Sequence, residues 1–104
     1  MVVVNGDTPK TSFNSNGWGD GPPGNGNLLY VRANGFTRPG WFGAIDPTSR
    51  TNFDPNTGAL SGATTDAAST AAAWAGMLYA IARGDRGVVT AITNAPYDGV
   101  IATP

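Results

Sequence analysis

The chain predicts an α+β domain, with short antiparallel strands, one alanine-rich helix over about residues 66–83, a Gly/Asn/Pro-rich N-terminal arm and a C-terminal β-hairpin. Three observations predict it. Short runs of β-branched and aromatic residues are punctuated by Gly, Pro and Asn, as half-buried strands and their turns are. One long run of strong helix formers stands between capping residues. The length of 104 residues with 40% hydrophobic content allows one thin core and no second domain.

From Asn5 to Asn27 the large apolar side chains are only Phe13 and Trp18 among Gly, Asn, Ser, Pro and Thr. Such a segment cannot bury enough surface to offset its ordering entropy, so residues 1–27 are expected to form an extended arm and residues 28–104 a single compact domain. The stretch Gly21-Pro22-Pro23-Gly24 lacks the sustained period of a collagen helix and reads as a linker.

Leu28-Leu29-Tyr30-Val31-Arg32-Ala33 has strand character, and Asn34-Gly35 after it signals a type I′ hairpin turn, with Phe36-Thr37-Arg38 beginning the return strand. Pro39-Gly40 turns the chain again. Trp41-Phe42-Gly43-Ala44-Ile45 predicts a short apolar strand, and Asp46-Pro47 and Asp54-Pro55 predict two Asx-type turns around Phe53.

For the helix, Thr64, Thr65 and Asp66 offer N-cap chemistry and Gly84 stands where a terminating glycine belongs. Trp74, Met77, Leu78 and Ile81 recur at i, i+3, i+4 and i+7, which predicts a large apolar face. Ser69, Ala72, Ala73, Gly76 and Ala80 make the opposite face, which carries no charge, so both faces are expected to be covered. Ala72, Gly76 and Ala80 form a ladder of small residues that admits close approach of a second backbone. That backbone lies either in the same subunit or in a neighbour, and the three are the candidate subunit-packing residues. Residues 67–82 reach only about 24 Å at 1.5 Å per residue, too short and too weakly hydrophobic to span a bilayer. Beyond the helix, Gly87–Thr93 and Val100–Thr103 flank Asp98-Gly99 and predict the terminal hairpin.

Composition narrows the function. The chain has no His, Cys, Glu or Gln, which removes the usual general bases, thiol nucleophiles and zinc ligands. No cofactor or metal is expected, and the protein is expected not to be an enzyme. An oxygen-ligand calcium loop at Asp54 and Asn56 lacks the bidentate Glu such loops use, and the Asp residues sit where turns and caps need them. Arg83-Gly84-Asp85 matches a tripeptide read by integrins, yet each residue has a local reason to stand at a helix end. The six basic residues are scattered and make no phosphate-tracking patch, so neither nucleic acid nor membrane is an expected partner. Trp18, Tyr30, Trp41, Phe42, Phe53 and Tyr97 form either the core or a sugar-stacking platform. A net charge of −1 with 12% charged residues leaves much of the surface neutral, as surface meant for burial is. The N-terminus has no basic segment ahead of its three valines, so synthesis and folding in a cytoplasm are expected.

This format, with Ala82-Arg83-Gly84-Asp85-Arg86-Gly87-Val88-Val89-Thr90-Ala91 and the final Asp98-Gly99-Val100-Ile101 as its most suggestive stretches, resembles small virion proteins of tailed bacteriophages, capsid decoration or cement proteins above all. The resemblance implies a virion structural protein, often trimeric in such families, that binds the major capsid protein or another virion protein through its arm. The candidate partner-binding residues are Val2, Val3, Val4, Phe13 and Trp18. A receptor- or glycan-binding module of a tail or fibre is the alternative, to be decided by whether Trp41, Phe42 and Phe53 are exposed or buried.

Overall fold

The computed structural model describes residues 1–5, 29–45 and 50–102. It is a mixed α/β structure with two small antiparallel sheets and two helices. In chain order these are β1 (Val2–Asn5), β2 (Leu29–Arg32), β3 (Ala44–Ile45), β4 (Arg50–Thr51), α1 (Asp66–Ile81) and α2 (Arg86–Ile92), followed by a single 3-10 turn at Asp98–Val100. β1 pairs with β2 and β3 with β4.

The terminal hairpin is corrected. Residues 86–92, rich in Val, Thr and Ile, are helical, and Val100 lies in the 3-10 turn. Local chemistry overrides β-propensity here. The Asp85 carboxylate accepts from the backbone N–H groups of Gly87 at 2.9 Å and Val88 at 3.3 Å, the bonding of a helix N-cap. Val89 is then fully buried against the core, which a helix achieves with one residue in each turn.

The Asn34-Gly35 hairpin is corrected as well. Phe36 N–H bonds Ala33 C=O at 3.1 Å, and Gly35 takes a φ of 85° while Asn34 is not among the positive-φ residues. One positive φ at the second central position is type II geometry; type I′ needs two, and it is type I′ that matches strand twist. The chain therefore leaves β2 instead of folding back along it. Thr37 bridges Ile101, and β2 takes β1 as its partner.

α1 begins where its capping residues predict. Thr65 is the N-cap, its hydroxyl accepting from Ala68 N–H at 3.1 Å. At the other end Gly84, with φ of 84°, donates its N–H to Tyr79 C=O at 2.9 Å. Arg83 adopts a left-handed φ of 53° beside it, and Asp85 leads directly into α2. Arg83-Gly84-Asp85 is thus the interhelix turn, each residue in a structural role.

The buried face of α1 is the small-residue one. Ser69, Ala72, Ala75, Gly76, Tyr79 and Ala80 are buried, whereas Met77 and Leu78 are half-buried, Trp74 is 38% exposed and Ile81 is 55% exposed. The expected large apolar face is therefore only partly covered. The reason is the partner. The segment Tyr97–Ile101 lies against α1 so closely that a Cβ on Gly76 would stand 2.6 Å from Val100 Cγ2; only small residues permit that distance, and the bulky ones are rotated outward. Within the single chain Ala72, Gly76 and Ala80 are all buried, with Val100 over Gly76.

Around this contact gather Phe53, Ala72, Ala75, Tyr79, Val89, Tyr97, Val100 and Ile101, with Phe36, Phe42, Ala73 and Leu78 at the margin. Phe36 meets Tyr79 edge-on at 6.4 Å, and Tyr79 meets Tyr97 at 5.9 Å, separations at which aromatic pairs add to area burial. On the far side the segment crosses the loop after Asp54, where Gly99 N–H bonds Pro55 C=O at 2.8 Å and Gly58 faces Gly99 backbone to backbone. The loop itself is the predicted Asx turn, Asn56 N–H donating to Asp54 Oδ1 at 2.7 Å.

Gly99→Ala would drive a methyl group into the Gly58 backbone, and Gly76→Val would overpack the contact with Val100. Each is expected to lower stability by about 1–3 kcal/mol or more, read from chemical denaturation, whereas Gly62→Ala, with open space at its Cβ position, is expected to leave the midpoint nearly unchanged.

Candidate functional site

Three clusters of polar and charged groups exist among the described residues, and each is consumed by the fold. Arg38 donates through Nη1 to Thr57 C=O at 2.9 Å and Gly99 C=O at 2.6 Å, its guanidinium 5.6 Å from the centre of the Phe42 ring. Arg86 pairs with Asp98 at 2.8 Å and lies over the rings of Tyr79 and Tyr97; the hydrogen bond to Asp98 raises its already high pKa. Arg50 Nη2 and Asn52 Nδ2 both donate to the Asp66 carboxylate, at 2.8 and 2.9 Å, and Asn52 also donates to Thr64 C=O. These donors, Asn52 first and then Arg50, hold the Asp66 carboxyl below the usual carboxylate range. The last cluster ties the strand β4 to the start of α1. Among the described residues no group of three or more acidic, His or Cys side chains is placed to hold a metal ion, and no helix is long and apolar enough to cross a membrane.

Exposed apolar side chains gather on the N-terminal ribbon. β1 and β2 form a two-stranded ribbon in which Val2 faces Arg32, Val3 faces Val31, Val4 faces Tyr30 and Asn5 faces Leu29. Side chains alternate across a strand, so Val2, Val4, Tyr30 and Arg32 share one side. All four are exposed, Val4 by 59% and Tyr30 by 55%. On the other side Leu29 and Val31 are half-buried. Among the described elements no helix or further strand packs extensively on this ribbon. A two-stranded ribbon alone is marginal in water and is ordinarily completed by a third strand or a covering element.

Of the candidate partner-binding residues, Val2, Val3 and Val4 lie together on β1, one of whose edges is engaged by β2 of the same chain; Phe13 and Trp18 lie outside the described residues. The aromatic set divides. Phe53 and Tyr97 are buried, and Phe42 is half-buried on Phe53 with ring centres 5.7 Å apart. Trp41 is 81% exposed after the Pro39-Gly40 turn, and Tyr30 is on the ribbon; Trp18 is again outside the described residues. Tyr30 acquires its place beside Val2 and Val4 only from the pairing with β1. The alternation Leu29-Tyr30-Val31-Arg32 signalled which side it shares with Arg32, but not which strand lies next to it. Compared with protein-family models, curated proteins and solved structures, the chain matches none of them.

The Asp66 contacts give a pH dependence with a defined sign. A carboxylate whose pKa is lowered on folding stabilises the folded state above its unfolded value of about 3.9, and that contribution disappears as pH falls through the lower folded value. Thermal unfolding followed from neutral to strongly acid pH is expected to show a shallower acid decline in Asp66→Asn than in the parent protein, the two differing most at neutral pH.

Proposed function

We propose that this chain is a structural virion component that binds and stabilises an assembled capsid lattice in the manner of a decoration protein, and is not an enzyme. The observation that carries this is the mainly apolar exposed side of the β1–β2 ribbon, where Val2, Val4 and Tyr30 stand in solvent beside Arg32 with no described helix or further strand packed extensively on them. Apolar side chains held together on a small ribbon that needs completion are suited to burial against a partner, and the near-neutral composition lets many copies sit side by side without like-charge repulsion. The partner in this reading is the major capsid protein or another virion protein. The chain is made in the host cytoplasm and ends in the virion, as a homo-oligomer for which a trimer is one arrangement.

The arrangement of aromatics supports assembly over recognition, because Phe53 and Phe42 are spent on the core. Trp41 alone favours the alternative, a glycan- or receptor-binding module of a tail or fibre, through stacking on its exposed ring.

Co-sedimentation with shells of the major capsid protein encoded in the same genome tests the first reading. The parent chain is expected to travel with shells and raise their resistance to heat, and the double variant Val2→Asp with Val4→Asp is expected to lose both effects while keeping its own helical circular dichroism. A parent chain that stays in the supernatant, but whose tryptophan fluorescence is altered by oligosaccharides in a way that Trp41→Ala abolishes, would replace assembly with glycan recognition.

A further inference from the structure

We propose that Asn34 is a modification site, converted through a cyclic imide to isoaspartate and aspartate. The chemistry needs a side-chain amide, an adjacent backbone nitrogen free to attack it, and no side chain on the following residue to block the approach. Asn34-Gly35 is the one Asn-Gly pair among the described residues, and both residues are exposed. In this turn Ala33 C=O accepts from Phe36 N–H at 3.1 Å and from Thr37 N–H at 3.2 Å. The Gly35 N–H between them donates to no described acceptor, and no described group holds the Asn34 carboxamide. Beyond its two chain neighbours, nothing lies within 4 Å of the position a Gly35 Cβ would take, so the space beside the Gly35 backbone is open. The other asparagines between residues 29 and 102 differ. Asn52 has its amide committed to Thr64 and Asp66, and Asn56 and Asn94 precede Thr57 and Ala95, whose side chains hinder attack.

The step balances without a catalyst. The Gly35 nitrogen, on losing its proton, attacks Asn34 Cγ, and the side-chain amide leaves as ammonia, carrying away that proton. Water then opens the imide at either carbonyl. One opening leaves an aspartate; the other leaves an isoaspartate, whose main chain runs through the former side chain and is longer by one methylene. The net change is amide plus water to carboxylic acid plus ammonia, with one negative charge gained. The position gives the change a consequence. Phe36 C=O accepts from Ala102 N–H at 2.8 Å, Arg38 N–H bonds Val100 C=O at 3.0 Å, and the Phe36 ring packs on Tyr79. A lengthened backbone two residues before Phe36 displaces the segment that makes these contacts, so the isoaspartyl form is expected to unfold at lower temperature.

The test is incubation of the folded chain in mildly alkaline buffer, followed by peptide mapping with mass spectrometry and isoaspartate detection, beside the free peptide Val31–Arg38 as reference. Conversion at Asn34 with isoaspartate as the larger product, faster as pH rises and absent in Asn34→Gln, is the expected result. An Asn34 that stays intact in the folded chain while the reference peptide is consumed would overturn the proposal. So would conversion to aspartate alone, which bypasses the ring.

Discussion

The fold depends on the close approach of one irregular segment, Tyr97–Ala102, to the small-residue face of α1. Val100 sits over Gly76 at a distance that no side chain on the helix would tolerate. Once there, the segment satisfies the chain on every side. Ile101 bridges Thr37, Gly99 reaches Pro55, Tyr97 stacks beside Tyr79, and Asp98 holds Arg86. The two small sheets contribute little to this centre, since neither packs extensively on the helices. A thin core of alanines, a few aromatics and the aliphatics Val89, Val100 and Ile101 closes where backbone lies against backbone, and larger side chains there would hold the elements apart.

Glycine and arginine add to what the few buried aliphatics do. Gly58 and Gly99 let two loops cross at main-chain contact, and Arg38 bridges the crossing by donating to carbonyls from both, Thr57 and Gly99. The same guanidinium covers the Phe42 ring. Arg86 repeats the arrangement over Tyr79 and Tyr97. These two arginines are planar, many-donor groups in places where a lysine could supply charge but neither the fork nor the stacking surface. Two of the chain's few charges are thereby spent on closing its interior loops.

Much of this was legible in the sequence at the level of local chemistry. Thr65 as N-cap, Gly84 as helix stop and Asp54 as an Asx turn all follow from side chains bonding their own backbone neighbours, and such bonds need no knowledge of the rest of the chain. What the residues did not disclose was pairing at a distance. Val88, Val89, Thr90 and Ile92 have strand character, and only the Asp85 cap and the buried place waiting for Val89 make them helical. The large residues of α1 appeared to define its core face, yet the neighbour turned out to be a segment so near that the small face was required. The ribbon surface was half visible. The three valines stood out, but their partner strand lies beyond residues 6–28, and alternation alone does not say which strand comes next to which.

The crossing of Gly99 with the loop after Asp54 also bears on how the chain is made. Arg38 and Gly99 are 61 residues apart in sequence, and the helix between them finds the cover for its buried face only when Val100 arrives. During vectorial synthesis α1 is made before Val100 and Ile101, so Ala72, Ala75 and Gly76 stay uncovered until that segment follows. Long-range closure of this kind delays the productive step of folding, and it makes the nascent chain dependent on its last-formed contacts. Termination between Ile81 and Tyr97 therefore releases an open helix whose backbone-tight groove has lost the segment that fills it.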